Sequence, residues 1–226
     1  MKTNLESLVF SRVPALRGKR AKTNLAILEL LALDGSQTVW NINKLLGRER
    51  KLYPTILKAV KRLTDKGYVA KTGTVKMAKK AERTPTYGLK WRGFIASLMS
   101  DKVRENLLEV LEKNPQLELP VPREVLLPVI VRKFTNEELR NMAYGLFKGF
   151  LKSIPLDLEL LKEEEYGAYI IPTLMNAKDA IPEKDWSQLM EIPEFRNFAI
   201  SEILKQEREL EKALEGIRLL KQKLGL

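Results

Sequence analysis

Apolar residues begin to recur at helical spacing from Thr23. Leu25, Leu28 and Ala32 fall in line, and Ile27, Leu30 and Leu31 widen the face. Thr23 or Asn24 is placed to cap this helix, and Asp34-Gly35 to end it. A second, short helix is predicted from about Thr38 to Leu46, burying Val39, Ile42, Leu45 and Leu46, with Gly47 as its stop. A third begins at Tyr53-Pro54, where proline suits a first helical turn because its missing N–H has no partner there anyway. Ile56, Val60 and Leu63 share one face with Leu57 at its margin, while Thr55, Lys58, Arg62 and Lys66 lie on other sides. Asp65-Lys66-Gly67 closes it. The period then changes: 68–72 reads as a strand and 84–89 as its returning partner, joined by a basic connection with Lys76, Lys79, Lys80 and Arg83 against Glu82. Trp91 to Met99 returns to helix, and Trp40 and Trp91, beside apolar stripes, are expected in the core.

Beyond residue 100 a helix is expected from Asp101 to Lys113, followed by a connector punctuated by Pro115, Pro120, Pro122 and Pro128. Thr135-Asn136-Glu137-Glu138 has the order of a capping box. The helix after it carries Leu139, Met142, Ala143, Leu146, Phe147, Phe150 and Leu151. Short helices are predicted over 156–166 and 183–190, and 169–174 reads as a short strand or a buried turn. The longest helix spans 194–224. Ile203, Leu210, Ile217 and Leu224 recur every seven residues, while the partner positions Ile200, Glu207, Leu214 and Lys221 are only half apolar. Such a helix packs on its own domain or against a second subunit, and Ile203, Leu210, Leu214, Ile217 and Leu224 are the expected dimerisation residues.

Charge divides the chain more sharply than hydropathy. The 226 residues carry a formal +11. Residues 1–100 hold 21 Lys and Arg against 6 Asp and Glu, which leaves +15, and residues 101–226 hold 19 against 23, which leaves −4. A basic module that meets an anion, joined to a near-neutral one, is the expected arrangement. Residues 1–22 read as a basic arm with Arg12, Arg17, Lys19, Arg20 and Lys22, able to follow phosphates or to be simply solvated. With no Cys and no His, disulfides, thiolate zinc sites and most catalytic triads are excluded. No phosphate loop or serine elbow occurs, and Glu163-Glu164-Glu165 reads as a solvated acidic face. The expectation is a protein that is not an enzyme and needs no cofactor or metal. No apolar run reaches bilayer length, so a cytoplasmic location with no membrane partner is expected.

Three helices followed by a basic hairpin make a winged helix-turn-helix. The run Pro54 to Val69 resembles the recognition helix and first wing strand of MarR- and PadR-type regulators. Thr86-Tyr87-Gly88-Leu89-Lys90-Trp91-Arg92-Gly93 resembles their second wing strand and the turn after it. The resemblance covers about residues 23–99, and the wing tip here is longer and more basic than is usual. It implies a mainly α protein with a small β-wing. Residues 23–100 form the DNA-binding domain, 101–134 a helix and connector, and 135–226 a helical domain for dimerisation or a protein partner. It implies sequence-specific duplex DNA binding and transcriptional regulation, as a homodimer. The expected contact residues are Tyr53, Thr55, Lys58, Arg62 and Lys66 on the third helix, Lys71, Lys76, Lys79, Lys80 and Arg83 on the wing, and Arg17, Lys19 and Arg20 on the arm. Two alternatives share the same basic face: an RNA-binding winged helix, and a non-specific architectural or replication and partition protein.

Overall fold

A computed structural model of the chain describes residues 9, 11–47, 52–76, 83–117, 123–155, 157–162, 168–177 and 181–224. The protein is mainly helical, with a small antiparallel sheet and a long C-terminal helix. Two short 3-10 turns, Pro14–Leu16 and Gly18–Arg20, lead into α1 (Ala21–Asp34). Ile27, Leu28, Leu31 and Ala32 of α1 are fully buried, and Gly35 ends the helix at φ +71°, a conformation that favours glycine. There follows a two-residue strand that the sequence does not announce, β1 (Gln37–Thr38). Thr38 then caps α2 (Val39–Leu45), its side chain accepting from the Asn41 N–H at 3.2 Å.

The helix α3 (Tyr53–Asp65) packs inward through Ile56, Ala59, Val60 and Leu63. The hairpin strands β2 (Val69–Lys76) and β3 (Arg83–Leu89) are longer than the sequence suggests. They pair from Val69 opposite Leu89 to Lys76 opposite Arg83, with an irregularity between Lys71 and Gly73. β1 adds to the free edge of β3, giving the sheet order β1-β3-β2. The base of the hairpin is anchored by Val69 and Leu89, both buried. From Lys71 to Lys76 every residue of β2 is exposed. Successive strand side chains point to opposite faces, so exposure of all of them means that this part of the hairpin stands clear of the body.

Next come α4 (Trp91–Ser97), α5 (Asp101–Glu105) and α6 (Leu107–Lys113). The single helix expected over 101–113 is broken at Asn106, whose side-chain amide donates to the Lys102 carbonyl at 2.8 Å and so competes with the helical ladder. Val103 of α5 and Val110 of α6 are both fully buried in the core. In place of the expected connector, α7 (Arg123–Lys133) contains Pro128, and residues 118–122 lie outside the described residues. The capping box forms as expected at the start of α8 (Asn136–Ser153). Residues 157–162 are turn rather than helix. The segment read as strand or turn is α9 (Ile170–Ala177), with Pro172 in its first turn, where a missing N–H is tolerated. Then α10 (Glu183–Met190) leads to the 31-residue α11 (Pro193–Lys223).

Two expectations are corrected by packing. The run 11–20 is not a free arm: Val13, Ala15 and Leu16 are buried, and Asn24 of α1 donates to the Ala15 carbonyl at 2.6 Å. Its apolar residues decide its position even though its cations dominate its composition. Nor does the change of charge near residue 100 divide the core. One apolar cluster runs from Val9 to Leu117 and takes in Phe147, Leu151, Ile154, Leu158 and Leu161. A smaller second cluster joins Phe134, Leu139 and Met142 to Ala177, Ile181, Leu189 and Ile192.

Candidate functional site

Burying Ile56, Ala59, Val60 and Leu63 commits one side of α3 to the core and leaves the opposite side to solvent. Thr55, Lys58, Lys61 and Asp65 are exposed there, and Leu57 is 42% exposed among them. Tyr53, at the leading end, is half-buried with its ring 6.1 Å from that of Trp40 at an interplanar angle of 50°. Trp40 is 40% exposed, so it is not the core residue its apolar neighbours suggest. The short α2 buries Val39, Ile42 and Asn43 and turns Trp40 outward beside the start of α3. The two aromatics and the polar side of α3 therefore form one continuous outer face.

The hairpin is a second exposed basic element. Lys71, Lys76 and Arg83 are exposed, and none has an ion pair among the described residues. Lys76 lies directly across from Arg83 in the register. Like charges opposite each other in a ladder are unfavourable. The arrangement costs the isolated protein stability and suits a surface that meets negative charge. Lys79 and Lys80 lie outside the described residues, as does the acidic run Glu163–Glu165.

Other expected contacts are engaged internally. Arg62 does not point with Lys58: its guanidinium donates to Asn24 Oδ1 of α1 at 3.0 Å. Partial burial, and then the nearby charge of Arg20, lower its pKa. Lys61 takes the place on the outer face that the sequence reading gave to Arg62. The spacing carries a signal for this, because 54, 58, 61 and 65 avoid every buried position of the helix. Lys66 pairs with Glu159 at 2.8 Å, and Arg17 with Asp157 at 2.8 Å. Both carboxylates belong to the turn at 157–162, which docks behind α3 and the hairpin. Leu158 N–H donates to the Arg12 carbonyl at 2.8 Å, and Arg92 donates to the Leu161 carbonyl at 2.6 Å. Nothing in the spacing of Asp157 and Glu159 announces this role, because their partners lie about ninety to one hundred and forty residues earlier. Lys19 and Arg20 are exposed, close enough to Arg62 for Arg20 to act on its charge. Lys22 and Lys44 are exposed as well.

Tyr68 holds the strap formed by 157–162 to the helices. It is fully buried, accepts from the Ala15 N–H at 3.4 Å and donates to Glu159 Oε1 at 3.3 Å. Burial first, then the charge of Glu159, raise its phenol pKa well above the ordinary value. At the other end of the chain, Ile203, Leu210, Leu214, Ile217 and Leu224 are all exposed, between 48% and 69%. Among the described residues no group of His, Cys, Asp or Glu is arranged to hold a metal ion, and no helix is long and apolar enough to cross a membrane. No protein-family model, no curated protein sequence and no solved structure matches the chain.

Proposed function

We propose that this protein binds duplex DNA as a winged helix-turn-helix regulator, with α3 in the major groove and the β2–β3 hairpin along the flanking backbone. The observation that carries the reading is the exposed basic surface of α3 and of the hairpin. Lys58, Lys61, Lys71, Lys76 and Arg83 lie on it, with Asp65 the one acidic residue of α3, and Lys76 stands opposite Arg83. Lysines of this kind favour phosphate contact, while Thr55, Tyr53 and the exposed Trp40 offer groups for base edges and sugars. Two copies joined through α11 would read two half-sites.

The orientation of Arg62 supports a second reading on the same face. Guanidinium is the group best suited to bidentate guanine recognition, and here it is engaged with Asn24. An outer side of α3 whose only cations are lysines suits non-specific coating of DNA. Binding of the full-length chain across a salt series decides the matter, using a random duplex, a fragment from upstream of its own gene, and a structured RNA of equal length. A steep loss of affinity with salt and a preference for the upstream fragment support a sequence-reading regulator. Equal affinity for both duplexes supports the coating role. Preference for the RNA, or no binding at low salt, overturns duplex recognition.

A further inference from the structure

Among the described residues, none covers the last part of α11. From Glu207 to Leu224 every residue is exposed. The helix nevertheless carries an apolar seam. Ile203, Leu210, Ile217 and Leu224 occupy one heptad position, and Ile200 and Leu214 the other, with Leu204 and Leu220 beside them. An exposed row of eight large apolar side chains marks an interface. The charged residues within and beside the seam show which partner fits.

The two gaps in the apolar row are Glu207 and Lys221, and they carry opposite charge. In a parallel pair, Glu207 would face the partner's Glu207, and Lys221 the partner's Lys221. Each would be a like-charge contact drawn into the seam. In an antiparallel pair, Glu207 of each helix comes level with the partner's Lys221. The flanks agree. One flank holds Leu204, Glu211 and Arg218, and the other Gln206, Ala213 and Leu220. Parallel helices oppose one flank to the other, which offers no charge pair, since Gln206, Ala213 and Leu220 are uncharged. Antiparallel helices oppose each flank to itself, which sets Glu211 against the partner's Arg218 twice over.

We infer that α11 pairs with α11 of a second copy of this chain in an antiparallel coiled coil centred near Leu214. This rests on the dimer of the proposed function and fixes its geometry. At 1.5 Å per residue, an overlap from Leu204 to Leu224 sets the two globular bodies roughly 30 Å apart at opposite ends of the rod. A parallel pair would hold them side by side, about 10 Å apart at the helix axes. The antiparallel distance is of the order of the spacing between half-sites one duplex turn apart, about 34 Å.

The chain has no cysteine, so introduced thiols report without background. Ile203→Cys and Leu224→Cys chains, one carrying a size tag, are oxidised alone and as a mixture, in the absence of DNA. Both positions are exposed, and melting curves matching the wild type establish that the variants fold. The antiparallel pair predicts a disulfide-linked heterodimer in the mixture and little linkage in either variant alone. Efficient linkage of each variant to itself overturns the inference in favour of a parallel pair, and monomers by sedimentation overturn it altogether. The charge arm is independent. Glu207→Lys is expected to weaken the dimer roughly tenfold, because two symmetry-related contacts turn repulsive. Adding Lys221→Glu should restore it. A parallel pair would show no such weakening, since it exchanges one like-charge layer for another. The result stands apart from nucleic-acid recognition, because a dimer that fails to bind DNA and a monomer that binds it are separate outcomes.

Discussion

Two glycines, both in helices, should respond to the same substitution with opposite signs. Gly93 sits in the first turn of α4 where that helix crosses the end of α3 and the start of β2. A Cβ built there would lie 2.0 Å from the Tyr68 carbonyl oxygen and 3.0 Å from Leu89 Cδ2. Neither obstacle can yield easily. The carbonyl also accepts from the Lys90 N–H at 3.1 Å, and Leu89 is fully buried. Relieving the contact requires α4 to retreat by about 1 Å, which opens the packing of Phe94 and Leu89 and stretches that hydrogen bond. Overpacking of this kind costs about 2–3 kcal/mol, or roughly 5–10 °C in Tm for a chain of this size. Gly216 lies on the exposed part of α11 with nothing within 4 Å of an added Cβ. Alanine there should favour the helix by about 0.5–1 kcal/mol through lost backbone entropy in the unfolded chain. Denaturant melts measure the first effect, and far-UV circular dichroism the second, since among the described residues nothing of the body packs on the end of α11 to share its gain. A Gly93→Ala protein within about 0.5 kcal/mol of wild type would refute the close approach of α4 to Tyr68.

Four further outcomes follow from the described contacts. The raised pKa of Tyr68 means that the folded state holds its proton more tightly than the unfolded state. Its contribution is therefore complete below the ordinary value of 10.0 and declines as pH rises above it. Tyr68→Phe should flatten that alkaline decline in a pH series of melts, while costing about 1–2 kcal/mol at neutral pH by stranding the Ala15 N–H. Thr135→Ala should lose about 1 kcal/mol of stability by removing the cap of α8, read from the denaturation midpoint. The cap's own hydrogen bonds, and then Lys184, hold Glu138 below its ordinary 4.5, so the cap's contribution is present above that value and is lost as pH falls through the lowered one. Lys58→Ala with Lys61→Ala should reduce the slope of log affinity against log salt by about one to two, since each phosphate contact contributes roughly 0.9. An unchanged slope would remove the outer face of α3 from the interface. Trp40→Phe should abolish most of the change in tryptophan emission on adding duplex, because Trp91 lies in the packed base of α4, 5.4 Å from the Phe94 ring, and Trp186 packs against the second apolar cluster. A change of equal size in the variant would show that Trp40 lies off the binding face.

Local signals along the chain determined most of the helices. The buried side of α3, the capping box at Thr135, the proline-led start at Pro54 and the heptads of α11 all depend on residues within a turn or two of one another. That is the range over which periodicity and capping act. The strap at 157–162, the turning of Arg62 to Asn24, the pairing of Lys66 with Glu159 and the outward placement of Trp40 belonged to the tertiary structure alone. Each depends on which distant surface a side chain meets, and a charge in the sequence looks the same whether it will face solvent or a carboxylate ninety residues away. The same reason explains the run at 11–20. Its cations are conspicuous in composition, but three apolar side chains fix where it lies, because burying them stabilises the fold while the exposed Lys19 and Arg20 contribute little to it.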